Sequence, residues 1–295
     1  MTLINKVKRH SIIWYNTFCK TIFNIAYRIK FIFPQSYGLN VNEERKEHII
    51  VSLTSFPDRM NTIHMCLRSL LSQKMKPDKI ILYLSKEQFE NTEIPKKVLN
   101  LKQYGLQIDF CEDLKPHKKY FYAMQEYPKD IVITVDDDVF YRSNLIRDLV
   151  EEHKKRKEEI ICTRAHKMKF VNGKLLPYKE WDYETIDIQE SSHYLMATGV
   201  GGVLYPPEIL PSYTFDKDKI IKLCLFADDV WLKAVEIKAG KKVYAIPATK
   251  TKYVVGIWGS EQVALNHSNV GENKNDQFIK NVFSYFNLTE SNLQN

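Results

Sequence analysis

The chain has 295 residues, 44% of them hydrophobic and 12% aromatic, enough to bury a full core without disulfides or a partner. Its five cysteines, Cys19, Cys66, Cys111, Cys162 and Cys224, stand far apart with no C-x-x-C pair, which argues against a zinc site or a disulfide framework and for buried thiols in a reducing compartment. The net charge of +7 admits nucleic acid, anionic lipid or phosphate-bearing substrates without choosing among them.

Residues 1–42 contain no Asp or Glu but carry Lys6, Lys8, Arg9, Lys20, Arg28 and Lys30. Read as a helix, residues 3–32 align Leu3, Ile4, Val7, Trp14, Phe18, Ile22, Ile25, Ile29 and Ile32 on one face, with Lys6, Arg9, Asn16, Lys20, Asn24 and Arg28 opposite. Lys20, Arg28 and Lys30 interrupt the apolar runs, so none approaches the roughly 20 residues that span a bilayer. Nor does a small-x-small cleavage site come after Lys20, as a secretory signal would need. The apolar face is expected either to lie in the interface of an anionic membrane or to pack on the chain's own domain, and the exclusion of every acidic residue favours the membrane.

Pro34 to Asn42 reads as a linker. Strands are expected at His48 to Leu53, Lys79 to Leu84, Gln107 to Cys111 and Asp130 to Val135, with a helical pattern around Met60 to Ser72. Their alternation predicts an α/β fold with a mainly parallel sheet flanked by helices, whose ligands sit at the carboxyl ends of the strands. Further strands are expected near Ile160 to Arg164, Gly201 to Tyr205 and Lys242 to Ile246, a helix from Asp229 to Ala239 closed by Gly240, and a final helical stretch near Gln277 to Phe286.

The strongest chemical signal is Ile131-Val132-Ile133-Thr134-Val135 running into Asp136-Asp137-Asp138. Three carboxylates ending an apolar strand need a cation, because like charges so close do not all stay ionised unaided. Carboxylate oxygens suit Mg²⁺ or Mn²⁺, with substrate phosphates completing the shell. A period of two turns Asp136 and Asp138 one way and Asp137 the other. A solvated acidic turn is the plainer alternative.

This arrangement resembles the GT-A-type (Rossmann-like) nucleotide-sugar glycosyltransferases of the family-2, bacterial surface-polysaccharide kind, which carry Asp-x-Asp at the end of a core strand. The resemblance covers roughly Ile49 to Ile246. It implies a metal-dependent transferase in which Asp136 meets the ribose or metal, Asp138 binds the metal bridging the donor diphosphate, and Asp137 belongs to the donor site. Thr54, Ser55 and Arg59, in the loop after the first strand, look like the nucleotide-binding loop, and Lys119 resembles a lysine that faces donor phosphates. Gly201 and Gly202, within Thr198-Gly199-Val200-Gly201-Gly202-Val203, either wall the donor pocket or make a tight turn into a strand. Of Asp228 and Asp229, the first is expected to cap its helix and the second to act as general base. His267 is a candidate third metal ligand. The family often ends its second strand with an acid that holds the base, whereas this chain has Leu84-Ser85-Lys86.

The resemblance and the basic arm together imply a cytoplasmic enzyme, peripheral on the inner membrane face, moving a sugar from a nucleotide-sugar, UDP by family frequency, to a saccharide or lipid-linked saccharide acceptor. Inversion or retention is open. The expected organisation is a basic amphipathic arm and linker over 1–45, a GT-A domain over 46–266 and a helical tail over 267–295. A haloacid-dehalogenase-type phosphatase also ends a strand in Asp-x-Asp, but it needs Thr or Ser where this chain has Phe140, and it uses its first strand. A non-catalytic nucleotide- or sugar-binding protein of the same fold is the other alternative. Nucleic acid is not expected as a partner, since the basic residues are dispersed and no recognition motif is present.

Overall fold

The computed structural model describes residues 20–185, 190–247, 254–260 and 274–294. Its core is a seven-stranded sheet built from β1 (Ile49–Thr54), β2 (Lys79–Ser85), β3 (Leu106–Cys111), β4 (Ile131–Thr134), β6 (Ile160–Cys162), β11 (Val203–Tyr205) and β12 (Val243–Ala245), in the order β12-β6-β11-β4-β1-β2-β3. All neighbours are parallel except β11, which runs antiparallel to both β4 and β6. Each sheet strand expected from the sequence is present, with ends differing by one or two residues. Three small two-stranded sheets surround it: β5 (Val139–Tyr141) with β13 (Val254–Gly256), β7 (Ala165–Lys167) with β10 (Leu195–Ala197), and the hairpin β8 (Phe170–Val171) with β9 (Lys174–Leu175).

The period of two decides which helix covers which face. Ile49, Val51 and Leu53 of β1 share a core with Ile63, Leu67 and Leu70 of α2 (Ile63–Leu71), beneath a layer that also holds α6 (Leu145–Lys155). Ile50, Ile81 and Val132 face the other way, onto Ala123 of α5 (Lys118–Glu126). Two one-turn helices, α3 (Lys86–Phe89) and α4 (Lys96–Leu99), link β2 to β3. A second core joins β6, β10 and β12 to α7 (Lys217–Cys224), α8 (Asp228–Lys238) and α9 (Lys274–Phe286). Gly240 comes just after α8 at φ +66, the left-handed position that favours glycine. Cys66, Cys111, Cys162 and Cys224 are buried free thiols; Cys19 lies outside the described residues.

The described part of the arm is helix α1, residues 20–30. It packs on the body through Asn24, Tyr27 and Phe31. Asn24, fully buried, donates to the Lys20 and Gly256 carbonyls (2.9 Å each) and accepts from the Trp258 N–H (3.0 Å). The Tyr27 ring stacks on Phe140 at 4.4 Å and its hydroxyl donates to the Tyr141 carbonyl. The apolar stripe read from the sequence points the other way: Ile22, Ile25, Ile29 and Ile32 are 47%, 46%, 54% and 80% exposed. Docking is thus done by Asn24, from the face opposite the apolar stripe, together with two aromatics. The segment from Pro34 to Asn42 keeps close to the surface, with Gly38 and Asn40 donating backbone hydrogen bonds to Tyr104 and Pro77.

Candidate active site

The sheet changes direction of growth between β1 and β4, with β2 and β3 to one side and β11, β6 and β12 to the other. At the carboxyl ends of such neighbours the loops diverge and leave a crevice. A cavity of about 700 Å³ opens there. Thr54, Ser55, Arg59, Lys119, Asp136, Asp137, Asp138, Asp228 and Asp229 all line it, so residues from both ends of the domain sequence meet in one place.

The acidic turn is held firmly. The β4 ladder ends at Thr134 and the chain bends at Asp137 and Asp138 before β5, so strict alternation does not persist through the three acids. Asp136 points at Lys119 (2.6 Å), while Asp137 and Asp138 converge on Arg59, at 3.6 and 3.1 Å. The Tyr141 hydroxyl accepts from the Asp136 N–H and donates to the Val200 carbonyl. The Asp138 carbonyl accepts from the Ile257 N–H and the Ser260 hydroxyl. Ser55 donates to Asp137, and burial pushes the Asp137 carboxyl up to about 6, against the pull of Arg59.

Lys119 is buried and bridges Asp136 to Asp228 (2.9 Å), which occupies the ammonium expected to face donor phosphates. Burial disfavours its charge, but Asp136 and Asp228 more than compensate and hold its pKa well above the usual lysine value. Lys118, the residue before it, is also buried and pairs with Asp113 at 2.7 Å. Asp228 is the first residue of α8 and not its cap; that place falls to Ala227. Burial opposes the Asp228 charge, yet Lys119 keeps its pKa below the ordinary carboxylate range. Asp229 is shifted upward, by burial first and by Asp228 second, and accepts from the Gly199 N–H at 3.1 Å.

Gly201 and Gly202 are not among the lining residues. A Cβ on Gly201 would meet the Arg164 backbone, and Gly202 takes φ +85 at the turn into β11; both serve packing and the turn. Gly199 is the glycine that matters at the site, since a Cβ there would lie 2.6 Å from the Lys119 ammonium and 2.9 Å from Asp136. Gln88, on α3 after the second strand, also lines the cavity, and its buried Oε1 has no hydrogen-bond partner among the described residues. His267 lies outside the described residues.

Two kinds of orphaned atom remain. Asp138 Oδ1 is buried without a hydrogen-bond partner, and so is Nε of Arg59, whose Nη1 is ion-paired with Asp138 Oδ2, among the described residues. A hard carboxylate oxygen left open beside Asp136 fits a divalent cation, and the open Nε–H of Arg59 fits an anion's oxygen. Among the described residues no three acidic, histidine or cysteine side chains form a complete metal cage, so phosphate or water oxygens would have to supply the remaining ligands.

Sheet order, the reversed strand and the acidic turn at the end of the central strand define a GT-A-like α/β fold. The fold is shared with the mannosyltransferase PcManGT from Pyrobaculum calidifontis, a structure with GDP-Man and Mn²⁺, at TM-score 0.51 and 11% identity over 93% of this chain and 73% of that one. S. aureus TarS 1-349 in complex with UDP matches at TM-score 0.45 and 15% identity over 71% of this chain, which spans 60% of that TarS chain. No family model and no curated protein matches the sequence.

Proposed function

We propose that this chain is a metal-dependent glycosyltransferase that moves a sugar from a nucleotide-sugar, most simply a UDP-sugar, to a saccharide acceptor. The observation that carries the reading is the unpartnered Asp138 Oδ1 and the unpartnered Arg59 Nε, two residues of opposite charge that line the cavity at the ends of β1 and β4. A cation bound to a donor diphosphate supplies what each lacks. Asp138 and Asp136 would hold Mg²⁺ or Mn²⁺, which neutralises charge on the departing nucleoside diphosphate.

The remaining work falls to the chain itself. Arg59 contacts a phosphate oxygen, Asp137 and Ser55 fix the Arg59 loop, and Thr54 and Gln88 border the base. Lys119 ties the donor carboxylates to the Asp228 turn, so that donor and base keep a fixed separation. Asp229 takes the proton of the acceptor hydroxyl as that oxygen bonds to the anomeric carbon. The bond from that carbon to phosphate breaks, and its electron pair leaves with the diphosphate. Burial and the neighbouring acids raise the proton affinity of Asp229, the property a base needs. Phe140, where a phosphatase of the dehalogenase type needs a hydroxyl, is fully buried in the core.

In this reading residues 46–266 form the transferase domain, 1–45 a membrane-directed arm and 267–295 a helical tail. No helix of the described residues is long and apolar enough to cross a membrane. A peripheral place on the inner face of the cytoplasmic membrane suits the exposed isoleucine stripe of α1 and a lipid-linked surface saccharide as acceptor. The test is to incubate the protein with Mn²⁺ and a panel of UDP- and GDP-sugars, with and without saccharide mixtures, and to assay nucleoside diphosphate. Release from one donor, stimulated by saccharide and stopped by EDTA, is expected; failure to consume any donor would overturn the reading.

A further inference from the structure

Besides the donor carboxylates, the cavity is lined by Arg164, His166, Tyr178 and Tyr183. The chain reaches it through the β8–β9 hairpin, after which residues 176–185 fold back over β7. Tyr178 and Trp181 are buried with ring centroids 5.0 Å apart, while Tyr183 packs on Tyr178 and His166, 5.4 Å and 4.5 Å away. Tyr183 itself is 42% exposed, a ring supported from behind and open at the cavity.

The next residue explains why the ring stays there. Glu184 adopts φ +48, a left-handed conformation that non-glycine residues avoid unless their surroundings impose it. Two side chains impose it: Arg164 pairs with the Glu184 carboxylate at 3.1 Å, and the Glu184 N–H donates to His166 Nδ1 at 3.0 Å. Since Nδ1 accepts, the imidazole proton sits on Nε2. Burial first, and Arg164 second, push His166 down to about 4, so the ring is neutral at ordinary pH. Arg164 also donates to Thr198 Oγ1 at 2.9 Å, immediately before Gly199, whose N–H holds Asp229. One guanidinium thereby ties the Tyr183 turn to the turn that positions Asp229.

We infer that Tyr183 is the stacking platform for the pyranose ring of the acceptor, with Arg164 and His166 as its positioning residues. This rests on the transferase reading, because the role of Asp229 as base makes the adjoining wall the acceptor side. An aromatic face ringed by fixed polar groups matches a sugar, which offers an apolar C–H face and a rim of hydroxyls. Glu184 neutralises Arg164, so the wall favours an uncharged ring over an anion. The sequence holds no local cue for this site, because Arg164 and Tyr183 come from different elements.

Saturation-transfer NMR with methyl and octyl pyranosides of glucose, galactose, mannose and N-acetylglucosamine tests it, on wild type, Tyr183→Ala, Tyr183→Phe, Arg164→Met and the Arg164→Met/Tyr183→Ala double variant. UDP and GDP binding with Mn²⁺ is measured in parallel. At least one pyranoside is expected to bind wild type, about tenfold more weakly to Tyr183→Ala and within about twofold to Tyr183→Phe. Arg164→Met should also weaken it, with the double variant no worse than Tyr183→Ala, because the arginine acts through the ring. Nucleotide affinity should stay unchanged in all variants. Absence of pyranoside binding, equal binding by Tyr183→Ala, or loss of nucleotide affinity in that variant would overturn the platform. Tyr183-dependent pyranoside binding by a protein that binds no nucleotide would leave the platform standing and remove the transferase reading.

Discussion

Asp229 has two carboxylate neighbours and one lysine within a buried pocket, and its chemistry is set by that company more than by its place on a helix. Asp229→Asn keeps the Gly199 hydrogen bond available but cannot accept a proton. Transfer is therefore expected to fall by about 10²–10⁴-fold with nucleotide affinity intact; a rate comparable to wild type would remove Asp229 from the base role. At this scale the sequence was legible where a residue's chemistry is abnormal for its setting. Three acids ending an apolar strand demand positive charge; the sequence pointed to a divalent metal for it, and the side-chain cations that meet all three, Arg59 and Lys119, come from other elements. It was not legible where meaning depends on distant neighbours. Nothing local distinguishes Gly199, against Lys119, from Gly201, against Arg164. Gln88 and Tyr183 likewise gain their interest only from the cavity that they border.

Among the elements, all seven strands of the main sheet could be read from apolar runs, and α8 from its period and its closing glycine. Helices α6 and α7 and the small sheets were missed. The β8–β9 hairpin had a local signal, Asn172-Gly173, which takes φ +50 and +74 as a tight hairpin turn requires. The antiparallel direction of β11 had none, because direction is fixed by a connection and not by the strand's own residues. At the start of α5, His117 is fully buried, with Nδ1 accepting from the Tyr120 hydroxyl and Nε2 donating to the Cys224 carbonyl. Burial pushes it down to about 4, although Asp228 pulls the other way. Between pH 6.5 and about 4 the unfolded chain binds a proton there that the folded chain does not, so this contribution to stability is lost as pH falls. Near pH 5 the loss amounts to about 2 kcal/mol. The stability gap between wild type and His117→Gln, from urea unfolding, should accordingly be smaller at pH 5 than at pH 7 by about that amount; a gap independent of pH would contradict the assignment.

For the molecule as a whole, the arm docks on the same turn that holds the acidic cluster: Asn24 bonds Gly256 and Trp258, and Ile257 between them donates to the Asp138 carbonyl. Helix α1 grips the body through Asn24, Tyr27 and Phe31 and leaves Ile22, Ile25, Ile29, Ile32 and Phe33 exposed. Basic groups crowd beside the stripe: burial and then Arg68 lower the Lys30 pKa, and burial and then Lys30 lower that of Lys76. The two readings of the arm offered by the sequence, membrane or domain, become two faces of one helix in this proposal. Ile25→Asp with Ile29→Asp should weaken co-sedimentation with phosphatidylglycerol vesicles about tenfold or more, without altering nucleotide affinity. Undiminished sedimentation would place membrane attachment elsewhere or remove it.

Metal-bridged binding of a nucleoside diphosphate at Asp138 can be read by calorimetric titration. Wild type and Asp138→Asn would each be titrated with UDP and GDP in Mn²⁺ and again in EDTA. One nucleoside diphosphate is expected to bind wild type only with the metal, and the variant is expected to lose about tenfold or more of that affinity. Nucleotide binding indifferent to both the metal and Asp138, or no binding under any condition, would contradict a metal-bridged donor site.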